Sequence, residues 1–469
     1  MKTQAARRPG NKRPTRSAKI RKYQRQTAHV EARRDGKPLI FGWGGHLSQK
    51  EKLSLQRRAI WSLVIAFAVI IVALLVGFWI NINIVIPNSP LVTVNGEKVP
   101  QADYRKMVAV KAQLRANDIE ALQTKSDNLK KQIDPQQKVV NDLNKQVEDL
   151  QNKLKSSSAD AKPDLEKQLN EKKAKQDTEQ KKLNDLQMRY NAIVQNDIPN
   201  QKQLYTQQQV GAESTDLLLE DILIRQWLAD PQHASLSNQI NPTPQMVDKA
   251  LNDFKQGMPK SLTYDKFLQD NHLSNEDVRN MLTVKVRQDN MKKYQADQVT
   301  SPSYQVQASH IILDTPEAAK KVLDQLKKGA DFAKLAKEQS KDSDTKDKGG
   351  ELGWMIPGQY SIDRVSKVGV AGDLWLFDPK RTVNEVSPVI NDGGTYRILK
   401  ITGIEKSRNV DEKTLKNVKD NAYTVWVLKE KARLGDKISQ VDDQMKLDSA
   451  NMPSNLPVSP PTQQSPYGG

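Results

Sequence analysis

Residues 305–313 read QVQASHIIL, residues 349–354 read GGELGW and residues 395–402 read TYRILKIT; these three stretches decide the fold of the second half of the chain. In the first, alternation puts His310 on one strand face with Val306, Ala308 and Ile312. Between it and the glycine pair, EAAKKVLDQLKKGADFAKLAKEQS (317–340) predicts one amphipathic helix that stops near Ser340, just ahead of Asp342. Short strands, one helix and Gly-rich turns therefore follow residue 303.

Upstream the pattern is helical. Residues 215–228 (TDLLLEDILIRQWL), 241–257, 261–271 and 273–294 each carry apolar residues at helical spacing. Thr243 ahead of Pro244, and Ser274 with Asp277 three residues later, are helix-start signals. Further back, LVTVNGEKVP (91–100) alternates into Asn95-Gly96, a hairpin-type turn. The helix from Ala102 runs on into a heptad stripe of Leu122, Leu129, Ile133, Val140, Leu143, Val147, Leu150 and Leu154. Ser156-Ser157-Ser158 interrupts it. A second arm from about Pro163 carries Leu165, Leu169, Leu183, Leu186, Tyr190 and Ile193, so residues 117–208 predict an antiparallel coiled-coil hairpin, read as a spacer or a self-association device rather than a client contact. Downstream of the strands, a helix over 415–438 precedes a Pro/Ser/Gln tail expected to be disordered over 447–469.

Residues 59–80, AIWSLVIAFAVIIVALLVGFWI, are 22 residues without a charge, flanked by Arg57-Arg58 and bracketed by Trp61 and Trp79. At about 1.5 Å per residue this spans a hydrocarbon core. The net charge of +17 is concentrated before it: residues 1–58 hold 17 Lys or Arg against Glu31, Asp35 and Glu51, and the rest of the chain carries only +3. The positive-inside rule makes 59–80 an uncleaved single-pass anchor in the cytoplasmic membrane, with 1–58 as a basic cytoplasmic tail and everything after it extracytoplasmic. Basicity confined to a membrane-flanking tail argues for lipid rather than nucleic acid as its partner. Cysteine is absent and the five histidines are scattered, so no metal site is expected.

The ordered string SHIIL, KKGADFAKLAKEQSKD, GGELGW, GQ, EVSPVI and YRILKI over residues 305–404 resembles the parvulin family of peptidyl-prolyl cis/trans isomerases. The flanks LVTVNGEKV, 215–296 and 415–438 resemble the PrsA/SurA kind of extracytoplasmic foldase, in which they form a chaperone domain. The resemblance implies an α+β chain: a mainly helical chaperone-like domain (91–302, interrupted by the hairpin), a parvulin domain of antiparallel sheet and helices (303–406), and a helix at 411–446 returning to the chaperone domain. It implies catalysis of X-Pro rotation without a cofactor, on unfolded or exported polypeptides. Residue by residue, His310 matches the first-strand histidine, Asp342 a site where bacterial members carry Asp or Cys, and Leu352 a pocket leucine. The family's Gly-Gln-Met reads Gly358-Gln359-Tyr360 here, its pocket phenylalanine falls on Arg364, and its second histidine on Arg397. Leu352, Gln359, Tyr360 and Arg397 are thus the candidate substrate-binding residues, and a permanently charged Arg397 cannot exchange tautomers with His310. Those departures keep open a catalytically weak or inactive holdase; the hairpin keeps open a structural envelope protein.

Overall fold

A computed structural model of the chain describes residues 49–363, 370–392, 394–441 and 443–458, and divides it into two units, 1–85 and 86–469. Described residues of the first unit form helix α1 (Gln49–Ile80), whose apolar side chains are exposed along its length. The helical stretch Leu53–Asn88, whose most apolar 18 residues have a mean hydropathy of 3.1, is the one helix among the described residues long and apolar enough to cross a membrane. Most of the basic tail, 1–48, lies outside the described residues.

The second unit opens with β1 (Pro90–Val94) and β2 (Glu97–Pro100), an antiparallel hairpin closed by Asn95 and Gly96 at φ of 49° and 88°. Positive φ at both turn residues matches the twist of the strands, which is why Asn-Gly is favoured there. Helix α2 (Gln101–Ser156) first buries Tyr104, Met107, Val108 and Val110 in the helical core, then runs out along α3 (Lys162–Ala192). The two arms are antiparallel. Lys172 donates to Gln146 (2.7 Å), Gln176 to Asn144 (2.6 Å) and Gln136 to Glu179 (2.9 Å), so the polar middle of the second arm is tied across the seam by side-chain hydrogen bonds. Leu129, Val140, Leu143, Val147, Leu169 and Leu183 are its buried apolar positions.

Short helix α4 (Ile198–Leu204) leads back to the body, followed by α5 (Gln207–Ala229), α6 (Pro244–Gln256), α7 (Tyr264–Asp270) and α8 (Asn275–Asp297). Each of the last four starts on a hydroxyl cap: Thr206, Thr243, Thr263 and Ser274 accept a hydrogen bond from a backbone N–H of the first turn, and Ser274 with Asp277 forms a full capping box.

Next come β3 (Ser303–Leu313), α9 (Pro316–Lys327), α10 (Phe332–Gln339), β4 (Glu351–Met355), α11 (Gln359–Asp363), α12 (Val370–Leu376), β5 (Ile390–Asp392) and β6 (Thr395–Arg408). The strands form an antiparallel sheet in the order β4-β3-β6-β5. One face packs Ile311, Leu313 and Ile398 against Val322, Phe332 and Leu335 of α9 and α10; the other packs Val306, Ala308, Leu399 and Ile401 against Tyr360 and Leu376. The single helix expected over 317–340 is two. Gly329 takes φ of +90°, which ends α9, and the Asp331 carboxylate accepts the Lys334 N–H at 2.7 Å to start α10.

Helix α13 (Glu412–Leu434) returns to the helical core through Tyr423, Trp426, Val427 and Leu434, and β7 (Ile438–Gln440) completes a second sheet, β2-β1-β7. The expectation of disorder from residue 447 is corrected as far as 458. Met452 and Leu456 are buried in the helical core, Asn451 accepts from Arg105 (2.7 Å), and the Gln207 N–H donates to the Pro457 carbonyl (2.8 Å). Met452 and Leu456 find core partners that composition does not reveal. Residues 459–469 lie outside the described residues.

Candidate active site

The sheet face that carries Leu399 and Ile401 also carries His310, paired with Leu399, and Arg397, paired with Ile312. Directly paired residues on antiparallel strands project to one side, so His310 and Arg397 belong to the same face. Just beyond β3, the chain after α10 folds back: the Lys341 N–H donates to the Ile312 carbonyl (2.8 Å), and the Ser340 hydroxyl accepts the Ile312 and Asp342 N–H groups (3.2 and 3.3 Å). That crossing delivers Asp342 to His310. The His310 Nε2 lies 2.5 Å from Asp342 Oδ2 and 3.0 Å from Thr345 Oγ1, and the Thr345 hydroxyl donates to the same carboxylate oxygen at 2.6 Å.

The glycine pair closes this cluster. The His310 N–H donates to the Gly350 carbonyl at 2.8 Å, and a Cβ on Gly350, at φ of +80°, would sit 2.1 Å from the His310 carbonyl oxygen. Gly349, at φ of +70°, also approaches Ala333 of α10, 2.7 Å from a Cβ to the Ala333 Cβ. Only glycine allows both the left-handed backbone and the approach. His310 has no exposed surface, whereas the Asp342 side chain keeps 10%. The carboxylate is thus the part of the pair that faces outward.

The remaining candidates divide. Leu352 is half-buried beside the cluster of Met355, Tyr360 and Leu376. Tyr360 and Arg397 are interior, 1% and 6% exposed, with Arg397 Nη1 donating to the Tyr360 hydroxyl at 3.4 Å. The Tyr360 ring is capped by α12, since a Cβ on Gly372 would come within 2.3 Å of its Cε1. Gln359 turns back on its own turn, accepting the Ile356 N–H at 3.2 Å. Arg364 lies outside the described residues. Thr345 went unread in the sequence; a hydroxyl three residues after Asp342, just ahead of the glycine pair, was the available signal.

This sheet, its buried histidine and the carboxylate delivered to it define the class. Residues 290–369 match the profile of the PPIC-type peptidyl-prolyl isomerase domain, so the chain carries a parvulin-type domain. Among curated proteins, it is 35% identical over 130 residues to the foldase protein PrsA of Geobacillus kaustophilus, covering 28% of this chain and 41% of that protein. It is 30% identical over 186 residues to the foldase protein PrsA of a second Geobacillus strain, covering 38% and 62%. The chain spans less than two thirds of the length of these relatives. Among solved structures, PrsA from Bacillus cereus is 21% identical, with 54% of this chain and 91% of that one covered at a TM-score of 0.24. The parvulin NmPin of Nitrosopumilus maritimus is 34% identical over 22% of this chain and all of its own, at a TM-score of 0.18.

Proposed function

We propose that the chain is a peptidyl-prolyl cis/trans isomerase and foldase that acts on exported, unfolded polypeptides at the outer face of the cytoplasmic membrane. The hydrogen-bonded His310–Asp342–Thr345 cluster, inside a domain of the PPIC type, carries this reading. The reaction breaks no bond. It rotates an X-Pro amide over a barrier of about 20 kcal/mol, and each 1.4 kcal/mol by which a site prefers the twisted amide speeds it about tenfold. In this reading Asp342 meets the amide as its resonance is lost, His310 orients the carboxylate from beneath, and Leu352 with the neighbouring apolar face receives the proline ring. Tyr360 and Arg397 support that wall from inside.

The domain arrangement belongs to the same proposal: 303–406 as the isomerase domain, 91–302 with 411–446 as a chaperone-like body, and 117–208 as a coiled-coil insertion serving as spacer or self-association arm. The residues before 59 lie on the cytoplasmic side, because Lys and Arg there are held by the positive-inside bias. Trypsin added to intact spheroplasts then cleaves the second unit and spares a tag fused at residue 1.

A second reading, a holdase without turnover, is favoured by one observation: two of the three departures from the parvulin pattern, Tyr360 and Arg397, pair with one another in the interior. Protease-coupled or NMR-exchange measurement of X-Pro isomerisation with the full chain in detergent separates the two. Acceleration that falls in His310→Ala and Asp342→Asn establishes the isomerase; rates equal to the uncatalysed control, with aggregation of an unfolded client still suppressed, establish the holdase.

A further inference from the structure

Helix α13 has two buried stripes. At 100° per residue, Tyr423, Val427 and Leu434 lie on one side and enter the helical core, while Val418, Val425 and Lys429 lie on the other. Val418 and Val425 face Gly358, where an added Cβ would be 3.7 Å from each. Lys429 reaches past them to Asp373 on α12: its Nζ is 2.7 Å from Oδ2 of a carboxylate with no exposed surface. The other oxygen, Oδ1, accepts the Gly358 N–H at 2.8 Å. Burial pushes this carboxyl above its ordinary range, and the ammonium and the Gly358 N–H oppose the shift.

A buried ion pair gains little stability over an apolar pair of similar volume, because desolvation offsets the attraction. What it fixes here is position. Gly358, at φ of +91°, opens the turn that carries Gln359 and Tyr360, and the Tyr360 ring packs on Gly372, the neighbour of Asp373. Tyr360 in turn holds Arg397 on the His310 face of the sheet. One carboxylate thus joins the helical body, the turn and the candidate proline pocket.

We propose that Asp373 is a positioning residue of the isomerase site: together with Lys429 it clamps the Gly358–Tyr360 turn onto α13, so that the helical body sets the geometry of the proline-binding wall. This rests on the isomerase reading above. The test uses the full chain in detergent, with KM and kcat on an X-Pro tetrapeptide and amide hydrogen exchange over residues 356–362. Asp373→Asn and Lys429→Met each raise KM about three- to tenfold with kcat within about twofold, because the loss falls on substrate positioning rather than on the step itself. Exchange over 356–362 speeds by about tenfold in both, and the double variant is no worse than the worse single one. Lys429→Arg, which keeps the charge, keeps the wild-type values. If Asp373→Asn does not fold, Lys429→Met carries the test. Absence of turnover in the wild type sinks the isomerase reading and this role with it; wild-type turnover with KM and exchange unchanged in the variants overturns the clamp alone.

Discussion

His310 is wholly enclosed, and the Asp342 Oδ2 that lies 2.5 Å from its Nε2 also accepts the Thr345 hydroxyl. Hydrogen bonds to a charged group are worth about 1.5–3 kcal/mol, so breaking this unit lowers kcat/KM for X-Pro isomerisation by about 10- to 100-fold in Asp342→Asn and His310→Ala. Thr345→Val, which removes a single donor, lowers it less, by about threefold to tenfold. A protease-coupled assay at fixed temperature reads all three, and equal rates for wild type and Asp342→Asn contradict the assignment.

Gly350 and Gly353 both take positive φ, 80° and 76°, but only at Gly350 would a Cβ collide, 2.1 Å from the His310 carbonyl oxygen; nothing lies within 4 Å of one on Gly353. Gly353→Ala is expected to cost about 1 kcal/mol from backbone strain, and Gly350→Ala at least about 2–4 kcal/mol because β3 or the turn must move. Thermal melting of the two variants side by side isolates the steric part.

The arm formed by α2 and α3 has few apolar residues, and Leu183, 1% exposed, is among the most enclosed. Leu183→Ala is expected to weaken the arm by about 2–4 kcal/mol, since a two-helix seam has no second layer to fill the cavity. Hydrogen exchange over 162–192 then accelerates while β3 keeps its protection, and uniform acceleration of both contradicts a separable arm.

Asp277 caps α8 and meets Lys106 of α2 at 2.9 Å. Partial burial would raise its pKa, but the Lys106 ammonium and the Ser274 hydroxyl and N–H hold it down to about 2. With the folded value below the unfolded 3.8, its stabilisation is complete above about pH 4 and is lost as pH falls toward 2. Solvent screening limits it to about 1 kcal/mol. The melting-temperature gap between wild type and Asp277→Asn is a few degrees above pH 4 and closes near pH 2.

The sequence alone determined what short-range physics writes into neighbouring residues. Asn95-Gly96 closes a hairpin because both residues tolerate positive φ, Ser274 and Asp277 cap α8 because they lie three apart, and residues 59–80 form an apolar helix because nothing charged interrupts them. The ordered pieces around His310, Asp342 and Gly349-Gly350 marked the parvulin-type domain by their resemblance to that family. Only the tertiary structure buried Met452 and Leu456, brought Thr345 onto the His310–Asp342 pair, turned Tyr360 and Arg397 inward, and set Lys429 against Asp373. Most of these depend on partners tens to hundreds of residues away. Side-chain chemistry states what a group can bond, but burial and chain topology decide which partner it meets.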